Sequence, residues 1–232
     1  MTTPMKLMKN QQSGFTLVEI AIVLVIIGLL LGGILKGQEL INSAKVKNLA
    51  QDFKSVELYI YGYQDRYKAL PGDDNRAEAN LPSGTSPAPS TTDNGNGNGV
   101  IDGAWDATTG ESWQFWRHVR ATNFAPGSAD STDTSPTGTY WPKNVEGGRV
   151  GITNGQGANT PITTMTGTYI FCSAGILGKF AKQLDTTLDD GNTATGSIRV
   201  RATSTTLQAA AVPTSGAGGI DDAVSYTVCK SF

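Results

Sequence analysis

Three groups of residues in this 232-residue chain have types and spacing that could do chemistry. The first is the run TTDNGNGNGVIDG at 91–103. Amide and carboxylate oxygens alternate there with glycines, which permit the tight turns and close carbonyl approach that wrap a hard cation. Laid on an EF-hand loop, Asn94, Asn96, Asn98 and Gly99 take positions 1, 3, 5 and 6, with Ile101 at 8. The match fails further on: position 12 is Trp105 rather than Glu, and position 1 carries no charge. Carboxylates for a weak calcium site of the extracellular kind would come from Asp93, Asp102 and Glu111, or from Asp73 and Asp74. The alternative is an Asn/Gly loop without metal, and both readings stay open.

The second group is Cys172 and Cys229, the only cysteines. In an exported domain such a pair reads as a disulfide, with two buried free thiols as the alternative. Closing this loop of nearly 60 residues would stabilise by roughly 4 kcal/mol on the chain-entropy model. The nearby LDDG at 188–191 reads most simply as a turn with solvated acids, a second cation site being the other reading.

The third is Glu19, a carboxylate inside the apolar run Phe15–Leu35. Twenty-one residues at about 1.5 Å rise give roughly 31 Å, the thickness of a bilayer's hydrocarbon. Residues 1–14 are polar, with Lys6 and Lys9 and no acid, which fits a cytoplasmic N-terminus. No Ala-x-Ala cleavage site follows the run, so it reads as an anchor rather than a discarded secretory signal. A carboxylate in a membrane span costs a few kcal/mol and normally has a named partner, unless it stays wet at the headgroups or is protonated. A cut between Gly14 and Phe15 would create that partner, a new α-amino group. It could be reached within one chain at i, i+4, or between neighbouring helices, where it would set their axial register.

The elements that must position these groups are legible in outline. From Leu49 the positions Phe53, Val56, Ile60, Tyr63 and Tyr67 form a one-sided helical stripe, with Lys45, Lys47, Gln51, Asp52, Lys54 and Glu57 opposite. The helix stops at Leu70-Pro71-Gly72. Its stripe needs a partner: another copy in a coiled coil, or, preferably, the domain that follows. Beyond Pro71 the chain turns rich in Gly, Pro, Ser, Thr, Asn and Asp. ESWQFWRHVRATNF (111–124) reads as a short helix, and GILGKFAKQLD (175–185) as another. Strands are expected around Tyr169, Val200 and Tyr226. The fold class is α+β: a long N-terminal helix packed on a small, mainly antiparallel sheet with long loops.

Composition excludes some functions. From Ala69 onward ten Lys/Arg face fifteen Asp/Glu, a net of about −5 that argues against electrostatic capture of nucleic acid. The only histidine, His118, lies in an aromatic segment and reads as a packed or surface residue. With no GxSxG, HExxH, Walker loop or dinucleotide fingerprint, no enzyme is expected.

Gly14-Phe15-Thr16-Leu17-Val18-Glu19, followed by an unbroken apolar stretch, resembles the class III signal of type IV pilins and type II secretion pseudopilins. The detailed resemblance covers about residues 6–70. It implies a leader at 1–14 removed by a prepilin peptidase and methyltransferase, N-methylation of Phe15, and assembly with other pilin subunits into a filament. It also implies that Glu19 pairs with the Phe15 amine of an adjacent subunit. It strengthens the disulfide reading, because a disulfide-bounded C-terminal region is common in that family. The organisation expected is a leader (1–14), a membrane and assembly half of the helix (15–35), an amphipathic half (36–70) and an extracytoplasmic head (71–232). The precursor would sit in the bacterial inner membrane, and the mature chain in a pilus. The alternatives are a secretion pseudopilus, or a minor pilin acting as an adhesin or DNA-uptake tip.

Overall fold

The structure, a computed structural model, describes residues 14, 16–135, 138–203 and 207–232. No proline interrupts the chain between Gly14 and Leu70, and helix α1 runs over Leu17–Tyr67. It ends where Lys68 turns to a left-handed φ of 58° ahead of Leu70-Pro71-Gly72. A proline cannot donate the next helical hydrogen bond, and it pushes the residue before it towards extended backbone.

The chain divides into two units, one ending at Ser43 and one spanning Ala44–Phe232. In the first, the apolar side chains from Leu17 to Leu35 are exposed, and this part of α1 is long and apolar enough to cross a membrane. Lys36 Nζ meets Glu39 Oε2 at 2.7 Å just beyond the apolar run. The second unit holds the rest of α1 together with the head.

In the second unit Val46, Leu49, Ala50, Phe53, Val56, Ile60 and Tyr63 are buried, one stripe at helical spacing. Four strands form one antiparallel sheet in the order β1-β2-β4-β3: β1 (Val150–Gly155), β2 (Gly167–Leu177), β3 (Ile198–Ala202) and β4 (Ser225–Ser231). Because side chains alternate across a strand, β2 sends Tyr169 and Phe171 into the main core with the α1 stripe. Ile170 and Cys172 go to the other face, against Trp105, Ile162 and Met165. Phe53 meets Phe171 edge to face, with ring centroids 5.0 Å apart. Lys230 Nζ reaches Glu57 Oε1 at 2.7 Å, tying β4 to the helix.

Three sequence expectations are corrected. Strand β1 was not anticipated: VGITNG is buried on both faces and shows no alternation of apolar and polar residues. Residues 175–177, expected to open a helix, finish β2, and helix α4 occupies Gly178–Leu188. Helix α3 spans Glu111–Ala121 and stops before the expected end, at Thr122 and a left-handed Asn123. One short helix, α2, covers Ala77–Asn80.

Candidate functional site

The first turn of α1 places Glu19 at its third helical position, with Thr16 as the residue before the helix. Glu19 Oε2 accepts hydrogen bonds from the Thr16 N–H and hydroxyl, both at 2.8 Å, and the Glu19 N–H donates to Thr16 Oγ1 at 3.2 Å. Each residue thereby satisfies a backbone donor that the helix start leaves open, the reciprocal arrangement of a capping box. The signal was readable: Thr16-Leu17-Val18-Glu19 has the T-x-x-E spacing, yet Thr16 was absent from the expected site residues. Among the described residues both side-chain hydrogen bonds of Glu19 use Oε2. Gly14 is exposed, with open space where a Cβ would sit. Phe15 and residues 1–13 lie outside the described residues, and with them the expected contact between Glu19 and the Phe15 amine.

Loop 91–103 is organised by carboxylates acting as acceptors. Asp73 Oδ1 takes the N–H groups of Gly97 and Asn98 at 2.7 and 3.0 Å, and Oδ2 takes that of Gly99 at 2.7 Å. Glu111, from the start of α3, accepts from the N–H groups of Asn96 and Asp102, both at 2.8 Å. Burial pushes the Glu111 carboxyl up from its ordinary pKa, against the downward pull of those two N–H groups. Asp102 is held by the side-chain amides of Asn96, Asn98 and Asn154 at 2.9–3.1 Å. The structure thus gathers Asp73, Asn96, Asn98, Asp102 and Glu111 about one loop.

It assigns the other expected ligands elsewhere. Asp74 accepts from Tyr63 Oη at 2.8 Å and Asn80 Nδ2 at 2.7 Å, and Asn94 Oδ1 accepts from the Glu78 N–H at 2.9 Å. Asp93 pairs with buried Arg117, Oδ1 lying 2.6 Å from Nε, and a second Asp93 oxygen accepts from Nη2 at 3.1 Å. Among the described residues no three of these carboxylates bring oxygens within 4.8 Å of one another, while Asp185, Asp189 and Asp190 do. Around 91–103 the carboxylates thus serve different partners: Asp73 and Glu111 accept the loop's own N–H groups, Asp102 is held by three side-chain amides, and Asp93 pairs with Arg117.

His118 underpins this region. It is fully buried, accepts the Gly72 N–H at Nδ1 (2.8 Å), and donates from Nε2 to the Asp93 carbonyl (2.8 Å). Its ring stacks on Tyr63, centroids 5.7 Å apart. Burial lowers its pKa to about 4, which keeps it neutral and in the tautomer these two bonds require. Gly72 has φ +92°, and a Cβ there would meet the Glu111 carbonyl at 2.6 Å, so the turn needs glycine.

Cys172 and Cys229 face each other directly across β2 and β4 and are joined by a disulfide. The bond lies on the face of the sheet turned away from the α1 stripe, among Trp105, Ile162, Met165 and Ile170.

Residues 9–35 match the family model of the prokaryotic N-terminal methylation motif, the signal of type IV pilins and pseudopilins. No curated protein and no solved structure matches the chain.

Proposed function

We propose that this chain is a structural, non-catalytic subunit of a type IV pilus or pilus-like filament, exported as a prepilin, cleaved after Gly14 and N-methylated at Phe15. One observation carries the reading. The methylation motif coincides with an apolar helix whose side chains are exposed among the described residues and whose first turn holds a carboxylate. Burial of that surface supplies cohesion, first in a bilayer and then among neighbouring helices. Glu19 supplies register, because an amine is the one cation that processing would create at its depth. The disulfide and the α1–sheet core then hold a head whose surface is largely loop.

Quantitative mass spectrometry of filaments sheared from the cell surface tests this. The mature chain should dominate that fraction. A processed chain confined to the membrane fraction would contradict the pilus reading and favour a secretion pseudopilin. A trace beside another abundant pilin would make it a minor or tip subunit.

A further inference from the structure

Helix α4 buries Phe180, Ala181 and Leu184, and the next position on the same face is Asp185. An apolar residue is due there; instead a carboxylate sits with no exposed surface. Both of its oxygens are buried without a hydrogen-bond partner. The Gly191 N–H is the one polar group that favours its charged form. A carboxylate buried without donors costs several kcal/mol unless something else compensates the charge.

Among the described residues no cation does so. The charged groups that bear on Asp185 are Asp189 and Asp190, both of its own sign. Lys182, on the same helix, pairs with Asp222 at 2.7 Å, and Arg199 donates to the Gly196 carbonyl and to Thr164 Oγ1. Each of the three acids places one oxygen within 4.8 Å of the others. Two ligands on one calcium at 2.3–2.6 Å can lie up to about 5 Å apart, so a single ion could touch all three.

The two outer acids are held for such a role. Asp189 Oδ2 accepts the Ile198 N–H at 2.7 Å, fixing the helix end to the start of β3. Asp190 accepts the Asn192 N–H at 2.8 Å and the Thr195 hydroxyl at 3.0 Å. A carboxylate offers about four acceptor positions, so both retain oxygen lone pairs for a metal.

We propose that Asp185, Asp189 and Asp190 form a calcium site that clamps the end of α4 to the start of β3. The three carboxylates supply the charge. The loop between these elements and solvent complete the oxygen shell that calcium requires. The preference for calcium over magnesium rests on the extracytoplasmic placement in the proposed function; the site does not. Burial and its two acidic neighbours push the Asp185 carboxyl up to about 7, the direction expected of a carboxylate that lacks a cation.

The test uses the full chain in detergent micelles, stripped with a chelator and titrated with calcium chloride at neutral pH by calorimetry and thermal melting. One calcium should bind per chain, half-saturating at or below about 1 mM, with a rise in Tm. Asp185→Asn and the exposed Asp190→Asn should each weaken binding at least about tenfold, while Asp102→Asn in the 91–103 loop should leave it unchanged. No heat and no Tm shift at about 5 mM calcium would overturn the site in favour of a shared proton. Binding kept in Asp190→Asn and Asp185→Asn, or lost in Asp102→Asn alone, would also overturn it. An equal response to magnesium chloride alone would overturn calcium as the ion. The outcome is independent of whether the chain enters a filament.

Discussion

Thr16 and Glu19 cap each other: the Glu19 carboxylate holds the Thr16 N–H and hydroxyl, and the Thr16 hydroxyl receives the Glu19 N–H. The carboxylate that the proposed function assigns to assembly therefore already has a task within its own chain, that of starting α1. Thr16→Ala should cost about 1 kcal/mol of local helix stability, and Thr16→Ser should restore it. Amide exchange at Leu17–Ile20 in micelles checks this; unchanged exchange in Thr16→Ala would contradict the cap.

Cys172→Ser with Cys229→Ser should lower stability by about 4 kcal/mol, for a closed loop with a sequence separation of 57. Denaturant unfolding of the wild-type and doubly substituted chains measures the difference. A loss below about 1 kcal/mol would mean that the sheet register holds without the bond.

Asp73 receives three backbone N–H groups from loop 91–103. Asp73→Ala leaves these donors without an acceptor, at about 1–3 kcal/mol for each one that water does not recover. The loop should open first, so limited proteolysis should cut within 94–100 several times faster than in the wild type. Equal cutting rates would show that the loop stands without Asp73.

His118 imposes a pH dependence. Its pKa is lowered to about 4 in the folded chain, against about 6.5 unfolded, so the unfolded state binds more protons between those values. Its contribution is complete above pH 6.5 and is lost as pH falls towards 4, by about 3 kcal/mol in all. Asp52 is pushed up to about 6 by burial and acts in the opposite sense, losing stability as pH rises through 6. The difference between wild type and His118→Gln isolates the histidine. That difference should shrink steadily from pH 7 to pH 4; a constant difference would refute a buried neutral His118.

The legible and illegible parts of this fold differ in range. The α1 stripe from Leu49 to Tyr63 was readable because helical spacing is local, and the α1 stop because Pro71 breaks any helix. Cys172 and Cys229 were readable as a pair because the chain has no others. Strand β1 was not, since burial on both faces erases alternation; Gly151 stands where a Cβ would overlap the Trp105 carbonyl, so its residue type reflects a tertiary contact. The partners of the acids at 91–103 were illegible for the same reason. Whether Asp93 faces an ion or Arg117, 24 residues away, is decided by how α3 docks rather than by the loop's own spacing. Asp185 was not readable because its neighbours in LDDG read as turn acids, whereas the buried carboxylate lies one helical turn earlier.

In the proposed function this chain is processed at Gly14–Phe15 and the new N-terminus builds a filament. Intact-mass measurement of the chain from cells with and without an active prepilin peptidase tests the processing. With the peptidase, the mass should correspond to residues 15–232 with one methyl group added and two hydrogens lost to the disulfide; without it, residues 1–14 should remain. A chain that keeps Met1–Gly14 in peptidase-active cells would contradict the account at its root.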